Sequence, residues 1–224
     1  MNTSIFRAKE PAIERLFGRR KAVIGVIHSL PLPGSPHYEG EPVESIYRYA
    51  CEEAERYGDG DVDGLIVENH GDIPFAKPDE GFIEGKAGAA SRYRAALRAR
   101  DIAIFTDVHV KHGAHAIVAD RTLAQLTQDA EFFDADAVIV TGQRTGDSAK
   151  LDELQTVSDA TQLPVLVGSG VNPDNVASIF DHADAVIIAS ALKHGGSWWN
   201  PVDPARLARF MSVVRQVRQA HGVR

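Results

Sequence analysis

Six short runs of apolar residues, rich in Val and Ile, recur along the chain, and turn residues bound each of them. Uninterrupted apolar runs of this length are typical of strands that a parallel sheet buries on both faces. The runs therefore predict six strands, at residues 22–28, 65–68, 102–110, 137–141, 165–168 and 185–189.

The segments between these runs have the period of amphipathic helices. Residues 43–57, 123–133 and 207–217 each place apolar side chains three or four positions apart. Residues that favour helix starts support these and the shorter helices: Pro42, Asp120, Asn172 with Pro173, and Asp203 with Pro204. An α/β chain of this kind builds either a doubly wound open sheet or a closed barrel, and both folds place functional residues at the carboxyl ends of the strands.

Composition and charge limit the classes of protein that fit. No linker or composition break divides the chain, so residues 1–224 are predicted to form one domain. The net charge of −7 argues against a nucleic-acid partner. No run reaches the roughly 18 apolar residues of a membrane span, and no signal-peptide pattern is present, so we expect a cytoplasmic protein without direct membrane insertion. Cys51 is the only cysteine in the sequence, which excludes an internal disulfide.

The predicted strand ends carry more polar side chains than a purely structural scaffold needs. They are His28, Glu68 and Asn69, then Asp107, His109, Lys111 and His112, then Thr141. In the third strand the two-residue period places Asp107, His109 and Lys111 on one face. Three ionisable groups on one face are costly to bury unless they are paired or solvated, so we expect them to line a cavity.

These side chains suit proton transfer. The candidate catalytic residues are His28, Glu68, Asp107, His109 and Lys111, acting as general bases, electrophiles or, for Lys111, a Schiff-base amine. Two alternatives stay open. Asp107 and Lys111 could form an internal pair beside a satisfied histidine, or Asp107, His109 or Glu68 could bind a divalent metal cofactor, although no spacing is specific for one. Further candidate ligand contacts are Asn69, His112, Thr141 and Gly142.

Small residues follow the fifth and sixth predicted strands. The segment Val-Gly-Ser-Gly-Val-Asn-Pro at residues 167–173 brings backbone N–H groups and a helix start to one place, which is typical of an anion site. In many barrels the loops after the last two strands form the phosphate site together. We therefore expect a phosphorylated small molecule to bind at Gly168, Ser169, Gly170, Ser190 and Lys193. The alternative is that the glycines only serve tight turns.

Motifs spread over nearly all of the chain from Lys21 resemble one protein family. Among them are HSLPLPGSP, DGLIVEN, DVHVKH, VTGQRTG, VGSGVNP and LKHGGSWWNP. In this order they are similar to the BtpA/SgcQ family, whose members resemble TIM barrels. The family is named after a factor needed for photosystem I biogenesis or stability in cyanobacteria. The resemblance implies a barrel-like fold with strand-end site residues, and it implies no defined reaction.

This sequence departs from the family pattern at two places. Ala189-Ser190 stands where relatives usually carry Gly-Thr after the last strand. Relatives also carry roughly two further βα units between DGLIVEN and the EGxxEG helix, whereas Asn69 here reaches Glu80 through a short loop. We therefore expect a TIM-barrel-like fold shortened to about six βα units, with an N-terminal helical extension over residues 1–21. Its two sheet edges would close on each other or be covered by a second copy, which predicts a homo-oligomer.

Two functions from different classes follow. The first is an enzyme that acts on a small phosphorylated, sugar-like substrate by isomerisation, aldol cleavage or hydrolysis. The second is a non-catalytic biogenesis or stability factor, peripheral to a membrane protein complex such as photosystem I. Its contact surface would be the Pro-rich segment 28–36 or the pair Trp198 and Trp199. The residue chemistry favours the first function, and the family resemblance favours the second.

Overall fold

The computed structural model describes residues 10–73, 87–108, 118–142 and 149–223. It contains the six predicted strands: β1 Ala22–His28, β2 Gly64–Glu68, β3 Phe105–Asp107, β4 Ala137–Thr141, β5 Val165–Gly168 and β6 Ala185–Ile188. The bounds of β1, β4 and β5 match the prediction. The prediction placed the start of β3 too early, because Ile102 belongs to the turn that closes the preceding helix, where its N–H donates to Ala99 O at 3.1 Å.

All strand pairs are parallel, and the order across the sheet is β2-β1-β6-β5-β4-β3. Strands that follow each other in the chain are therefore neighbours, and the first strand pairs with the last, as in a barrel. Within the described ranges the one consecutive pair that is not joined is β2 and β3. The result is a curled half-barrel of six parallel strands, open on one side, which confirms the predicted α/β, TIM-barrel-like class.

Seven helices lie in the described ranges: α1 Ala12–Phe17, α2 Val43–Asp59, α3 Ala87–Ala96, α4 Leu123–Phe132, α5 Leu151–Ala160, α6 Val176–Phe180 and α7 Pro204–Ala220. Short 3-10 turns follow two of the strands, at His70–Asp72 and at Ser190–Leu192 with His194–Gly196. Asp203 caps α7 as predicted, since its carboxylate accepts from the N–H groups of Ala205 and Arg206. The predicted cap at Asp120 is wrong, because Thr122 caps α4 in a reciprocal pair with Gln125.

Alternate residues of each strand point to opposite sides of the sheet. On the outer side, helices cover β1 and β4 to β6, and Gly25 lets the buried ring of Tyr57 in α2 approach so closely that a Cβ atom there would lie 2.7 Å from it. On the inner side, small and branched residues such as Ile24 and Leu166 form a second core. Helix α1, within the predicted N-terminal extension, closes the amino-terminal end of this core with the fully buried Ile13.

An aspartate lies directly before β2, β4 and β6, and its carboxylate accepts a hydrogen bond from the start of the neighbouring strand. The N–H of Val23 donates to Asp63 at 2.7 Å, that of Ile104 to Asp136 at 2.9 Å, and that of Val165 to Asp184 at 3.0 Å. Each of these carboxylates also pairs with an arginine: Arg218 with Asp63, Arg94 with Asp136, and Arg20 with Asp184. These contacts hold the amino-terminal end of the barrel, away from the end where the strand-end residues collect.

No helix in the described ranges is long and apolar enough to cross a membrane.

Candidate functional site

A cleft of about 450 Å³ opens at the carboxyl ends of the strands. Its floor is made by inward-pointing strand residues such as Val26, Ile66 and Ile187. Above them, every strand end contributes to the wall, with His28 after β1, Glu68 after β2, Asp107 after β3, Thr141 after β4, Gly168 after β5 and Ser190 after β6. The two-residue period brings His28, Glu68, Asp107 and Thr141 to the same face, as the sequence predicts for Asp107, whereas Ser190 reaches the cleft from the 3-10 turn after β6.

One wall of the cleft is a loop of small residues. Ser169 and Gly170 both have positive φ angles, 76° and 69°, so the chain turns sharply as it leaves β5. Asn175 fixes the turn, because its side chain donates to Gly170 O at 2.9 Å and accepts from the N–H of Asn172 at 2.8 Å. Small side chains at 168–170 let a ligand approach the main chain closely, and Ser190 places a hydroxyl on the neighbouring strand end.

His28 lines the cleft at the end of β1, two strands from β5. Its Nδ1 lies 3.1 Å from the carbonyl oxygen of Trp198. That oxygen can only accept, so Nδ1 carries the proton and Nε2 presents a lone pair, 3.8 Å from Oε1 of Glu68. Burial lowers the pKa of His28 to about 4, and the hydrogen bond to Trp198 compensates only in part. At neutral pH the imidazole is therefore an uncharged acceptor.

Sequence reasoning did not select His70, which also lines the cleft. Its ring centroid lies 5.1 Å from that of His28 and 4.4 Å from that of Trp198, which it meets edge-on. Following the polar strand end beyond Asn69 by one residue would have found it. Trp198 is half-buried and Trp199 is exposed.

Several predicted site residues lie elsewhere. Asn69 is exposed and donates to Asp72 at 2.9 Å, and Gly142 is buried outside the cleft wall. The expected ligand contact from Lys193 is corrected by the structure, because only 1% of this residue is exposed and its amine donates to Glu53. Three predicted residues, His109, Lys111 and His112, lie outside the described residues.

Lys193 and Glu53 instead anchor the loop that follows β6. Glu53 is fully buried, and its carboxylate also accepts from the N–H of Val202 at 3.0 Å and from Arg56 at 2.8 Å. Burial lowers the pKa of Lys193, and the contact with Glu53 opposes that shift. This buried network ties residues 193 and 202 to α2 and so holds Ser190 and Trp198 at the cleft. A glutamate on the apolar stripe of α2 was the signal in the sequence.

The candidate metal ligands from the sequence are Asp107, His109 and Glu68, of which His109 lies outside the described residues. Within residues 10–73, 87–108, 118–142 and 149–223, no three His, Cys, Asp or Glu side chains are placed to hold a metal ion.

The family model named BtpA family matches residues 19–79 and 76–216, which is most of the chain. The chain belongs to the BtpA family. An uncharacterised mitochondrial protein of Caenorhabditis elegans is 33% identical, over 89% of this chain and 95% of its own length. The photosystem I biogenesis protein BtpA of Synechocystis is 30% identical, over 89% of this chain and 90% of its own length.

These comparisons also locate the departure from the family pattern. The alignment with the worm protein runs over 265 positions, whereas 89% of this 224-residue chain is about 199 residues. About 66 aligned residues of the relative therefore have no equivalent residue in this chain. The two parts of the family match meet at residues 76–79, between β2 and α3. This is the interval in which the sequence predicts missing βα units, and it is the side on which the barrel is open.

Solved structures with a similar fold include a synthase and an aldolase. A geranylgeranylglyceryl phosphate synthase of Thermoplasma acidophilum, in complex with sn-glycerol-1-phosphate, has a TM-score of 0.56 and 15% identity, covering 91% of this chain and 97% of that one. An archaeal fructose 1,6-bisphosphate aldolase has a TM-score of 0.55 and 13% identity, covering 92% and 98%. At this identity the likeness describes the fold alone.

Proposed function

We propose that this BtpA-family protein binds a small phosphorylated, sugar-like molecule in the cleft and acts on it as an isomerase, lyase or hydrolase. The observation that carries the proposal is the layout of the cleft. A wall of small residues at 168–170 with Ser190 follows the two middle strands, β5 and β6, and ionisable side chains flank it, with His28 and Glu68 on one side and Asp107 on the other. A ligand with an anionic end and a reactive polyol end has matching chemistry.

The anionic end belongs at the loop after β5. The small residues there expose main chain to a ligand, and Ser190 adds a hydroxyl donor. In barrel enzymes the loops after the last two strands commonly hold a phosphate group. The synthase in complex with sn-glycerol-1-phosphate and the fructose 1,6-bisphosphate aldolase, which share this fold, are consistent with that ligand class by analogy.

The reactive end belongs beside β1 and β2. Neutral His28 has the lone pair of Nε2 available to take a proton from a hydroxyl or a carbon next to a carbonyl. Glu68 lies 3.8 Å from that nitrogen and can stabilise the imidazolium that forms. Asp107 lines the same cleft from β3 and is a second candidate acid or base. His109 and Lys111 follow it in the sequence and stay candidate catalytic residues.

The proposal is tested with a matched pair of variants at Ser169. Asn and Asp both tolerate its left-handed backbone and have nearly the same shape, so they differ mainly in charge. In a thermal-shift titration with ribose 5-phosphate and inorganic phosphate, the wild type and Ser169→Asn should be stabilised and Ser169→Asp should not. No shift in the wild type, or an equal shift in all three proteins, would contradict the phosphate site.

A second function is favoured by the name of the Synechocystis relative, a photosystem I biogenesis protein. The outer face of β2 fits such a role, because Leu65 and Val67 are 42% and 65% exposed there and offer an apolar surface. The test is complementation of a Synechocystis strain that lacks its own BtpA. Restored photosystem I with both the wild type and Ser169→Asp would favour a scaffold. Restoration by the wild type alone would make ligand binding part of the role, and no restoration would count against this function.

A further inference from the structure

A second, smaller pocket of about 230 Å³ adjoins the cleft. Its walls come from the Pro-rich segment after β1, from α2 and from the tryptophan pair, and they include Leu30, Pro31, Tyr49, Ile73, Trp198 and Trp199. His28 and Trp198 line both cavities, so these two side chains stand between them. A pocket of this size is too small for a whole ligand and suits one part of a molecule that also occupies the cleft.

We infer that the second pocket receives an uncharged planar ring, such as a nucleobase, carried by the phosphorylated ligand, so that the ligand class is a nucleotide-like sugar phosphate. This inference rests on the proposed function, because the cleft has to hold the phosphate and the sugar. It adds a binding subsite on the far side of His28 and Trp198.

Aromatic side chains form much of the wall of the second pocket. Trp198, Trp199 and Tyr49 surround the pocket, and the two indole rings meet edge-on with centroids 5.5 Å apart. Trp199 keeps 63% of its surface exposed, so its ring is accessible to a ligand in the pocket. Aromatic side chains arranged in this way bind the faces of planar rings.

The second pocket also contains polar groups, which favour a heterocycle over a hydrocarbon. Ser29 also lines it, and its buried hydroxyl has no hydrogen-bond partner among the described residues. Rotation about the Cα–Cβ bond of Ser29 is needed to turn this buried oxygen towards the pocket; the ring nitrogens or carbonyl groups of a heterocycle could then pair with it, which a hydrocarbon could not. Burial raises the pKa of Tyr49 to about 12, so its phenol stays protonated and the wall carries no phenolate charge.

The distance between the phosphate loop and the second pocket fits the length of a nucleotide. His28 ends β1 and Gly168 ends β5, and β6 lies between these two strands. Two strand spacings separate the phosphate loop from the wall of the second pocket, which is about 10 Å. The sugar of a nucleotide would then lie beside His28 and Glu68. Its anomeric carbon carries the base and offers no carbonyl, so hydrolysis is the proposed reaction type that fits this ligand.

The test compares affinities by isothermal titration calorimetry on the full chain. The probes are ribose 5-phosphate and the 5′-monophosphates of adenosine, guanosine, cytidine and uridine. At least one nucleotide should bind about tenfold more tightly than ribose 5-phosphate. Trp199→Ala should remove that advantage and leave the affinity for ribose 5-phosphate unchanged. The matched control is Phe132→Ala, since Phe132 is 62% exposed on α4, away from both pockets, and its removal should change neither affinity.

The outcomes separate the inference from the proposed function. If ribose 5-phosphate binds and Ser169→Asp abolishes binding, but no nucleotide gains over it, the ring pocket is refuted and the phosphate site stands. If a nucleotide gains affinity and Trp199→Ala leaves the gain intact, the inference is also refuted. If dimethylallyl phosphate matches the best nucleotide, the pocket takes an apolar chain and not a ring. If no phosphorylated probe binds, both the proposed function and the inference fail.

Discussion

At the scale of single residues, position along a strand was predictable and pairing was not. The two-residue period and the polar strand ends were enough to predict that His28, Glu68, Asp107 and Thr141 face one cleft. The fate of Lys193 could not be predicted in this way, since its partner Glu53 lies 140 residues earlier, on the buried stripe of α2. A lysine after a strand end looks the same in a sequence whether it binds a ligand or an internal carboxylate.

The buried pair predicts the effect of removing Lys193. Lys193→Met should lower the free energy of unfolding by about 3 kcal/mol, because it leaves the carboxylate of Glu53 buried with one cation fewer. Urea denaturation measures this loss. The matched control is Lys150→Met, which breaks an exposed pair with Glu153 and should cost about 0.5 kcal/mol or less. Unchanged stability with lost phosphate binding would restore Lys193 as a ligand contact.

His28 predicts a pH dependence of stability. Its pKa is about 4 in the folded protein and about 6.5 in an unfolded chain, so between these values the unfolded chain binds the proton more strongly. This residue therefore removes stability as the pH falls from about 6.5 to about 4, by roughly 3 kcal/mol. His28→Asn lacks the titrating group and can still donate to Trp198 O.

The measurement is urea unfolding of the wild type and His28→Asn at several pH values. The stability of the wild type relative to the variant should be greatest above pH 6.5 and should shrink towards pH 4. A difference that is constant across this range would show that His28 is not kept neutral by its surroundings.

At the scale of elements, the strands were predictable because their cores are continuous apolar runs that few other structures accommodate. Helix starts were harder, as Thr122 shows, because Asp120 and Thr122 are both good caps and only the geometry of the turn decides between them. A repeated motif at the strand starts was also present in the sequence and did not enter the prediction. The strings DGLIV, DAVIV and DAVII each begin with the aspartate that ties the start of the neighbouring strand.

These aspartates predict where the barrel is most sensitive to mutation at its amino-terminal end. Asp63→Ala should destabilise the protein by about 3 kcal/mol, because it leaves the guanidinium of Arg218 buried and the N–H of Val23 unpaired. Chemical denaturation of Asp129→Ala is the control, since that exposed pair with Arg121 should contribute about 0.5 kcal/mol or less. Equal effects at both positions would contradict the structural role of Asp63.

At the scale of the whole molecule, the order of the strands follows from the sequence, and the opening follows from what the sequence lacks. The two segments of the family match overlap at residues 76–79. The two edge strands of the described sheet, β2 and β3, lie before and after this point in the chain. Whether the edges close could not be predicted, because six short strands satisfy the periodicity equally well in an open or a closed sheet. The structure keeps them apart and leaves Leu65 and Val67 exposed on the outer face of β2.

The exposed face of β2 supports the prediction of a homo-oligomer. Sedimentation velocity should find an assembly larger than the monomer, and Val67→Lys should shift it towards the monomer because a charge would lie in the covered apolar face. Leu151→Lys is the control, since Leu151 is 48% exposed at the start of α5, which connects β4 and β5 and lies away from β2. A wild-type protein that stays monomeric at high concentration would contradict the prediction.

The central claim is that the carboxyl ends of the six strands bind a phosphorylated ligand. The most direct measurement is a crystal structure of the full chain grown with ribose 5-phosphate. The account predicts the phosphate group against the main chain of residues 168–170 and the hydroxyl of Ser190, with the sugar towards His28 and Glu68. A cleft that stays empty at saturating ligand, or a phosphate bound only at the amino-terminal end of the barrel, would contradict it.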